Sequence, residues 1–447
     1  MRDYAILGII LGSVPICFLS PYFGTLMWYW IAYFSPHRYG WGIAYAFPVA
    51  QVVALPTLAG LALNYRKLNR HVFVRETLIL LLLWIWFAIT LIHAMNTPAF
   101  AGHVADARFQ MERVSKVLIF TFVAILAVTS REKLRLLSML TAFSFGVLAI
   151  KGTLFGLRTG GTSRVWGPPD SFIADNNDMA LALNMSLPLL FFLAREEKNR
   201  TLRIALHVGL VCAIIAVLLT YSRGGLLGLA AVLGYIAIKS RQKVAAGVLI
   251  TVGVFLAFTL APPQWMERMS TLVSGSMDDT AKQRVITWSF GWRLAQEYPL
   301  TGGAFEAFPD EELFQRYSPE PLPGGTYRSA SPHSIYFQVL GEHGFVGLGL
   351  FAMLLFGALS SLRKLRRWGR KIPTLSWMTN YSDMFTGSIL AYMVSGAFLG
   401  RAYFDFFYQL VASVIIMKII WRREVQLLLA AEEERQEMEE VEQAVPA

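Results

Sequence analysis

The chain has 447 residues, of which 55% are A, V, I, L, M, F, W, Y or C and only 16% are charged, with a formal charge of +10. Its mean hydropathy is +0.48. A soluble chain of this size exposes a large area and carries roughly 25% charged residues. The composition therefore excludes a soluble enzyme, a secreted disulfide scaffold and a disordered protein, and it points to a chain solvated largely by lipid.

The apolar runs appear from the first residues onward. Runs 4–19, 22–34 and 42–63 are divided by Ser20-Pro21 and Ser35-Pro36-His37-Arg38, and Pro48 and Pro56 are expected to kink the third. Further runs are 76–95, 115–130, 133–150, 173–194, 202–220, 225–238, 244–261, 333–360, 383–399 and 403–421. Set against the roughly 17–25 residues that cross a bilayer, they predict an all-α polytopic integral membrane protein with about 12 transmembrane helices. The first run lacks a small-residue cleavage pattern and leads into more spans, so no cleavable signal peptide is expected.

The loops predict orientation. One set is basic, including Arg66/Lys67/Arg70/Arg75, Arg131/Lys133/Arg135, Lys239/Arg241/Lys243 and Arg363/Lys364/Arg366/Arg367, and it alternates with the rest. Basic loops mark the cytoplasmic side. The tail 431–447 holds seven Glu and one Arg, a net of −6, so the remainder carries +16. That excess reads as topology rather than as a nucleic-acid surface. With the tail inside, Met1 is inside only if one of the first three runs fails to cross. Five regions follow: an N-terminal transmembrane region 1–100, a transmembrane region 101–261 with an Arg-Gly-Gly motif, an outward loop 262–332, a transmembrane region 333–423 and an acidic cytoplasmic tail 424–447. The long loop is partly helical, about 281–297. There Trp288 and Trp292 share a face suited to the membrane surface.

The outward side carries the candidate chemistry. Thr220-Tyr221-Ser222-Arg223-Gly224-Gly225 puts an arginine at the membrane boundary. Such a residue either lines a wet site or is a snorkelling or ion-paired interface arginine. His333, in Ser331-Pro332-His333-Ser334-Ile335-Tyr336, is placed to project from a first helical turn. The helix dipole there favours neutral imidazole, which suits a general base, and an interface or capping histidine is the competing reading. Arg284 lies one turn before Trp288, and a solvated helix face is its ordinary reading. Asp175-Asn176-Asn177-Asp178 starts an apolar span with more polar groups than a cap needs. Arg164 and Arg401 are further outer cations. Cys17 and Cys212 lie in apolar runs, Asp278-Asp279 is a weak metal signal, and no Walker A, dinucleotide or HExxH motif occurs. No metal or cofactor is expected. Several arginines and a histidine on one face suit a lipid-linked phosphate reacting with a hydroxyl.

The Arg223-Gly224-Gly225 element, the loop with Arg284 and Trp288, Tyr298-Pro299-Leu300-Thr301-Gly302-Gly303, and Pro332-His333-Ser334-Ile335-Tyr336 leading to Glu342-His343-Gly344-Phe345-Val346-Gly347 resemble the O-antigen ligase/polymerase superfamily over about 166–347. Ser35-Pro36-His37-Arg38-Tyr39-Gly40-Trp41-Gly42 further resembles O-glycosylation ligases associated with exosortase systems. The resemblance implies a GT-C-like glycosyltransferase of the bacterial inner membrane with a periplasmic active site. It would move a glycan from undecaprenyl diphosphate to an acceptor hydroxyl, that of lipid A–core in ligases, without metal and with inversion. The family's arginines fall on Arg223 and Arg284 and its histidine on His333, with Arg164, Asn176, Asn177, Arg401 and Tyr336 as further substrate-binding candidates. Many members carry Asn after the histidine, whereas this chain has Ser334. A polysaccharide polymerase, a protein O-glycan ligase and a lipid-linked glycan transporter are the alternatives.

Overall fold

The structure, a computed structural model, describes residues 1–240, 279–329 and 331–444. Among the described residues it is helical, without strand. The expected span at 244–261, the loop portion 262–278 and Asp278 lie outside the described residues.

The helices are α1 (Arg2–Leu19), α2 (Pro21–Phe34), α3 (Ile43–Ala46), α4 (Val49–Leu63), α5 (Arg75–Met95), α6 (Val104–Ala127), α7 (Arg131–Arg158), α8 (Asn176–Glu196), α9 (Arg200–Leu219), α10 (Arg223–Lys239), α11 (Asp279–Glu297), α12 (Glu311–Tyr317), α13 (Ile335–Lys371), α14 (Trp377–Gly396) and α15 (Asp405–Ala444). Their starts follow capping chemistry. Ser20, Ser130, Asp175, Asn199 and Ser222 each accept a hydrogen bond from a first-turn backbone N–H, satisfying donors that a helix leaves open.

Among the described residues, six helices are long and apolar enough to cross a membrane: α1, α5, α7, α8, α9 and α13. The chain is a multi-pass membrane protein. The third N-terminal run divides into α3 and α4, and α4 continues through Pro56. Of these helices α8 is the most enclosed, packed by α7, α9, α10 and α14, and its residues are buried on every side, as in a helix inside a bundle. The acidic tail does not end the last helix, since α15 runs on to Ala444.

The cations of the basic loops serve packing at that end of the bundle. Glu76, fully buried, is held by Arg75 at 2.8 Å and by Lys418 and Ser361. Asp383 is held by Arg366 at 2.7 Å and Lys239 at 3.0 Å. Buried carboxylates of this kind need such partners.

A break in α13 positions the other end. Gly344 sits at φ 66, ψ −170 inside the helix, a conformation open essentially to glycine alone. There the turn at 298–303 presses its backbone into the helix: Gly303 N–H donates to Gly341 O at 2.9 Å and Phe345 N–H donates to Pro299 O at 2.8 Å.

Candidate functional site

A cavity of about 350 Å³ opens where five segments converge. Helix α6 supplies Gln110 and Arg113; the start of α8 and the loop before it supply Phe172, Asp175, Asn177 and Asp178. The 298–310 loop supplies Glu306 and Phe308, α13 and the segment before it supply His333, Gln338 and Glu342, and the α14–α15 loop supplies Arg401, Tyr403 and Phe404.

His333 is in this cavity with a left-handed backbone, φ 50, which is uncommon for a residue with a side chain and recurs at functional sites. Its backbone N–H donates to Ser331 Oγ at 3.3 Å. Helix α13 starts two residues later with Ser334 as N-cap, so His333 precedes the first turn rather than projecting from it. Burial is the main force on its ring and the Arg284 guanidinium adds to it, while Asp175 opposes; together they push its pKa down to about 4. The neutral ring is thus set by desolvation and a neighbouring cation more than by the helix dipole the sequence suggested. Ser334 is buried, and its backbone carbonyl accepts from Gln338.

Arg284 on α11 lies within electrostatic range of His333, although it does not line the cavity. Helix α11 is docked by its tryptophans. Trp288 stacks on Phe337 at 5.2 Å and Trp292 meets Phe345 edge-on at 5.7 Å, so the tryptophan face packs on α13. Arg401 lines the cavity and is ion-paired with buried Asp178. Asn177 lines it too, its backbone and side-chain N–H groups both donating to the capping Asp175 at 2.8 and 2.9 Å.

Other expected residues serve the frame. Asn176 turns away and donates to Thr220 O at 2.8 Å, tying α8 to the turn before Arg223. That turn holds Tyr221 at φ 57. Arg223 begins α10 and is absent from the cavity lining. Gly224 and Gly225 let α10 close on Phe398 and Ala180, where a Cβ would come within 3.0 and 2.6 Å. The glycines thus serve helix packing. Tyr336 OH donates to Met393 O at 3.1 Å, and Arg164 sits by Tyr221 rather than in the cavity. His343 is fully buried, shares a hydrogen bond with Thr90 at 2.8 Å and packs on Phe87 and Phe305.

The structure adds residues that sequence reasoning did not single out. Glu342 accepts from Tyr403 OH and from Glu306 N–H at 3.3 Å. Glu306 has φ 59 and its carboxyl is raised by burial, with Asp106 adding to the effect. Glu342 had a signal, since it belongs to the Glu-x-Gly motif. Glu306 and Arg113 had none, one in an aperiodic loop and the other at a span boundary. His103 anchors the loop that carries Glu306: its ring lies between Asp310 Oδ2 at 2.7 Å and Gly303 O at 2.8 Å.

Comparison with known families agrees with the motif region. Residues 208–352 match the family described as O-Antigen ligase. Residues 1–198 match a family of unknown function, DUF5935. No curated protein matches the chain. Both families contribute walls of the one cavity: Arg113, Phe172 and Asn177 from the first region, His333 and Glu342 from the second. The O-antigen ligase match, in a multi-pass helical frame, makes this a glycosyl-transferring membrane enzyme of the ligase type. Residues 208–352 thus carry a domain of the O-antigen ligase superfamily.

Proposed function

We propose that this protein transfers a glycan from undecaprenyl diphosphate to an acceptor hydroxyl, that of lipid A–core lipopolysaccharide, on the periplasmic face of the bacterial inner membrane. His333 carries the reading: a strained backbone holds a desolvated, neutral imidazole in a polar cavity beside Arg284 and Asp175. His333 accepts the acceptor hydroxyl's proton while that oxygen attacks the anomeric carbon, and the bond to the diphosphate breaks with its electrons passing to the leaving group. The attack is direct and inverts the anomeric centre. Arg223 and Arg284 hold the diphosphate and stabilise its growing charge, so the reaction needs neither metal nor ATP. Asn177, Arg401 and the neighbouring Arg164, Asn176 and Tyr336 complete or support the substrate site. The frame is GT-C-like with about 12 spans, sufficient to place the long loop outside and the acidic tail in the cytoplasm. Its five regions run 1–100, 101–261, 262–332, 333–423 and 424–447.

Purified protein given labelled lipid-linked glycan and one of three acceptors tests this: core lipid, a second lipid-linked glycan, or a hydroxyl-bearing peptide. Product on the core lipid is expected. Product only on the second donor would make the protein a polymerase, and product only on the peptide a protein O-glycan ligase.

A further inference from the structure

A second cavity of about 260 Å³ lies beside the first, between α2 and α6. Arg113 and Phe172 line both cavities and form the partition, with the Arg113 guanidinium 4.8 Å from the Phe172 ring centre. Most of its wall comes from the N-terminal region matched to a family of unknown function.

Its chemistry is graded. Trp28, Ile31 and Val117 give an apolar side on helices of the bundle. Arg38, Lys116 and Arg113 supply cations. Arg38 has a 3.7 Å contact with the exposed Asp170 and lies over the Tyr45 ring at 4.8 Å, and Lys116 pairs with the exposed Glu112 of its own helix. Contacts of that exposed kind are weak and easily exchanged for a phosphate. Asp405, at the start of α15, lines the same cavity while only 3% exposed, and its Oδ1 has no hydrogen-bond partner. A buried carboxylate oxygen without a donor is costly, and a hydroxyl presented by a ligand would satisfy it. Cations suited to phosphate, an acceptor suited to a hydroxyl and an apolar wall together describe a lipid with a phosphorylated sugar headgroup.

We propose that this cavity seats the acceptor lipid of the transfer reaction, its phosphate on Arg38, Lys116 and Arg113 and a headgroup hydroxyl on Asp405. The proposal rests on the function proposed above. It adds the acceptor's place: neither Arg223 nor Arg284, assigned to the donor diphosphate, lines this cavity, and a headgroup here needs only to pass Arg113 and Phe172 to reach His333.

Equilibrium binding to the full chain in detergent tests this, with three probes: a bis-phosphorylated diglucosamine lipid, the same headgroup stripped of its acyl chains, and undecaprenyl diphosphate. The double variant Arg38→Ala/Lys116→Ala should bind the glycolipid at least about tenfold more weakly, while its undecaprenyl diphosphate affinity stays at the wild-type value and certifies its fold. Asp405→Asn should weaken the glycolipid in the same selective way. The stripped headgroup should bind wild type at least about tenfold more weakly than the intact lipid. Unchanged glycolipid affinity in the double variant, an equal loss of both lipids, or a headgroup that binds as well as the intact lipid would each overturn the assignment. His333→Ala separates the two readings, because it should stop transfer and leave glycolipid binding intact. If the glycolipid fails to bind wild type while His333-dependent transfer to it proceeds, the seat is wrong and the reaction stands.

Discussion

Gly303 donates its backbone N–H to the Gly341 carbonyl at 2.9 Å, joining two stretches that the sequence presents as separate motifs. The bond fits because α13 is broken at Gly344: Phe345 N–H turns to Pro299 O and leaves Gly341 O to Gly303, one residue before Glu342 of the cavity wall. Gly344→Ala meets two obstacles. The backbone at φ 66, ψ −170 disfavours any side chain by about 1–3 kcal/mol. The added Cβ would also collide with Leu300 O. We expect a lowered melting temperature in detergent together with reduced transfer. A variant that melts and transfers like wild type would show that the kink is dispensable.

His333→Ala should abolish glycan transfer while the protein still inserts and elutes as a single species. The pH dependence has a definite sign. Burial and Arg284 move the ring from 6.5 to about 4, so the folded protein resists protonation where an unfolded ring accepts it. The histidine's contribution to stability is therefore fully present above 6.5 and is lost as pH falls from there through about 4. The base stays neutral over the same range, and kcat/KM should hold its plateau down to about pH 5.5. An acid limb centred near 6.5 would place the base elsewhere.

Arg401 and Asp178 form an ion pair on the cavity wall, with Asp178 only 7% exposed. Removing Arg401, itself 37% exposed, strands the buried Asp178 carboxylate at a cost of about 1–3 kcal/mol, whereas removing Asp178 leaves a cation that solvent still reaches. Arg401→Gln should therefore destabilise more than Asp178→Asn, and the double variant should cost clearly less than their sum. Additive losses in a thermal-melt cycle would mean that the two side chains act independently.

His103→Ala removes the ring between Asp310 and Gly303. Each buried acceptor left without its donor costs about 1–3 kcal/mol. Because the loop between those two residues carries Glu306, transfer should fall along with stability. Wild-type transfer by a destabilised His103→Ala would free the loop from any part in the site.

Much of the frame was readable in the chain because lipid demands long apolar helices, and the cap at Asp175 is a local signal. The kink at Gly344 was not, because it depends on a distant turn that presses its backbone there. The site was partly readable. His333, Asn177 and Arg401 reach the cavity as their positions suggested. Arg223, Arg164, Asn176 and Tyr336 lie off it, since a side chain's aim depends on packing that residue type does not reveal. Asn176 and Asn177 are adjacent in sequence and point to different tasks. The Glu306–Glu342 contact spans 36 residues and rests on a loop with no periodicity to read.

Helix α15 runs unbroken for 40 residues, roughly 60 Å at 1.5 Å per residue, twice the hydrocarbon thickness of a bilayer. Its first residue, Asp405, lines a cavity, and its side chains are exposed over residues 426–437 as it leaves the bundle. The helix is therefore a stiff lever: a push or a tether at its acidic end would be delivered, with no joint among the described residues to absorb it, to the cavity wall where it begins.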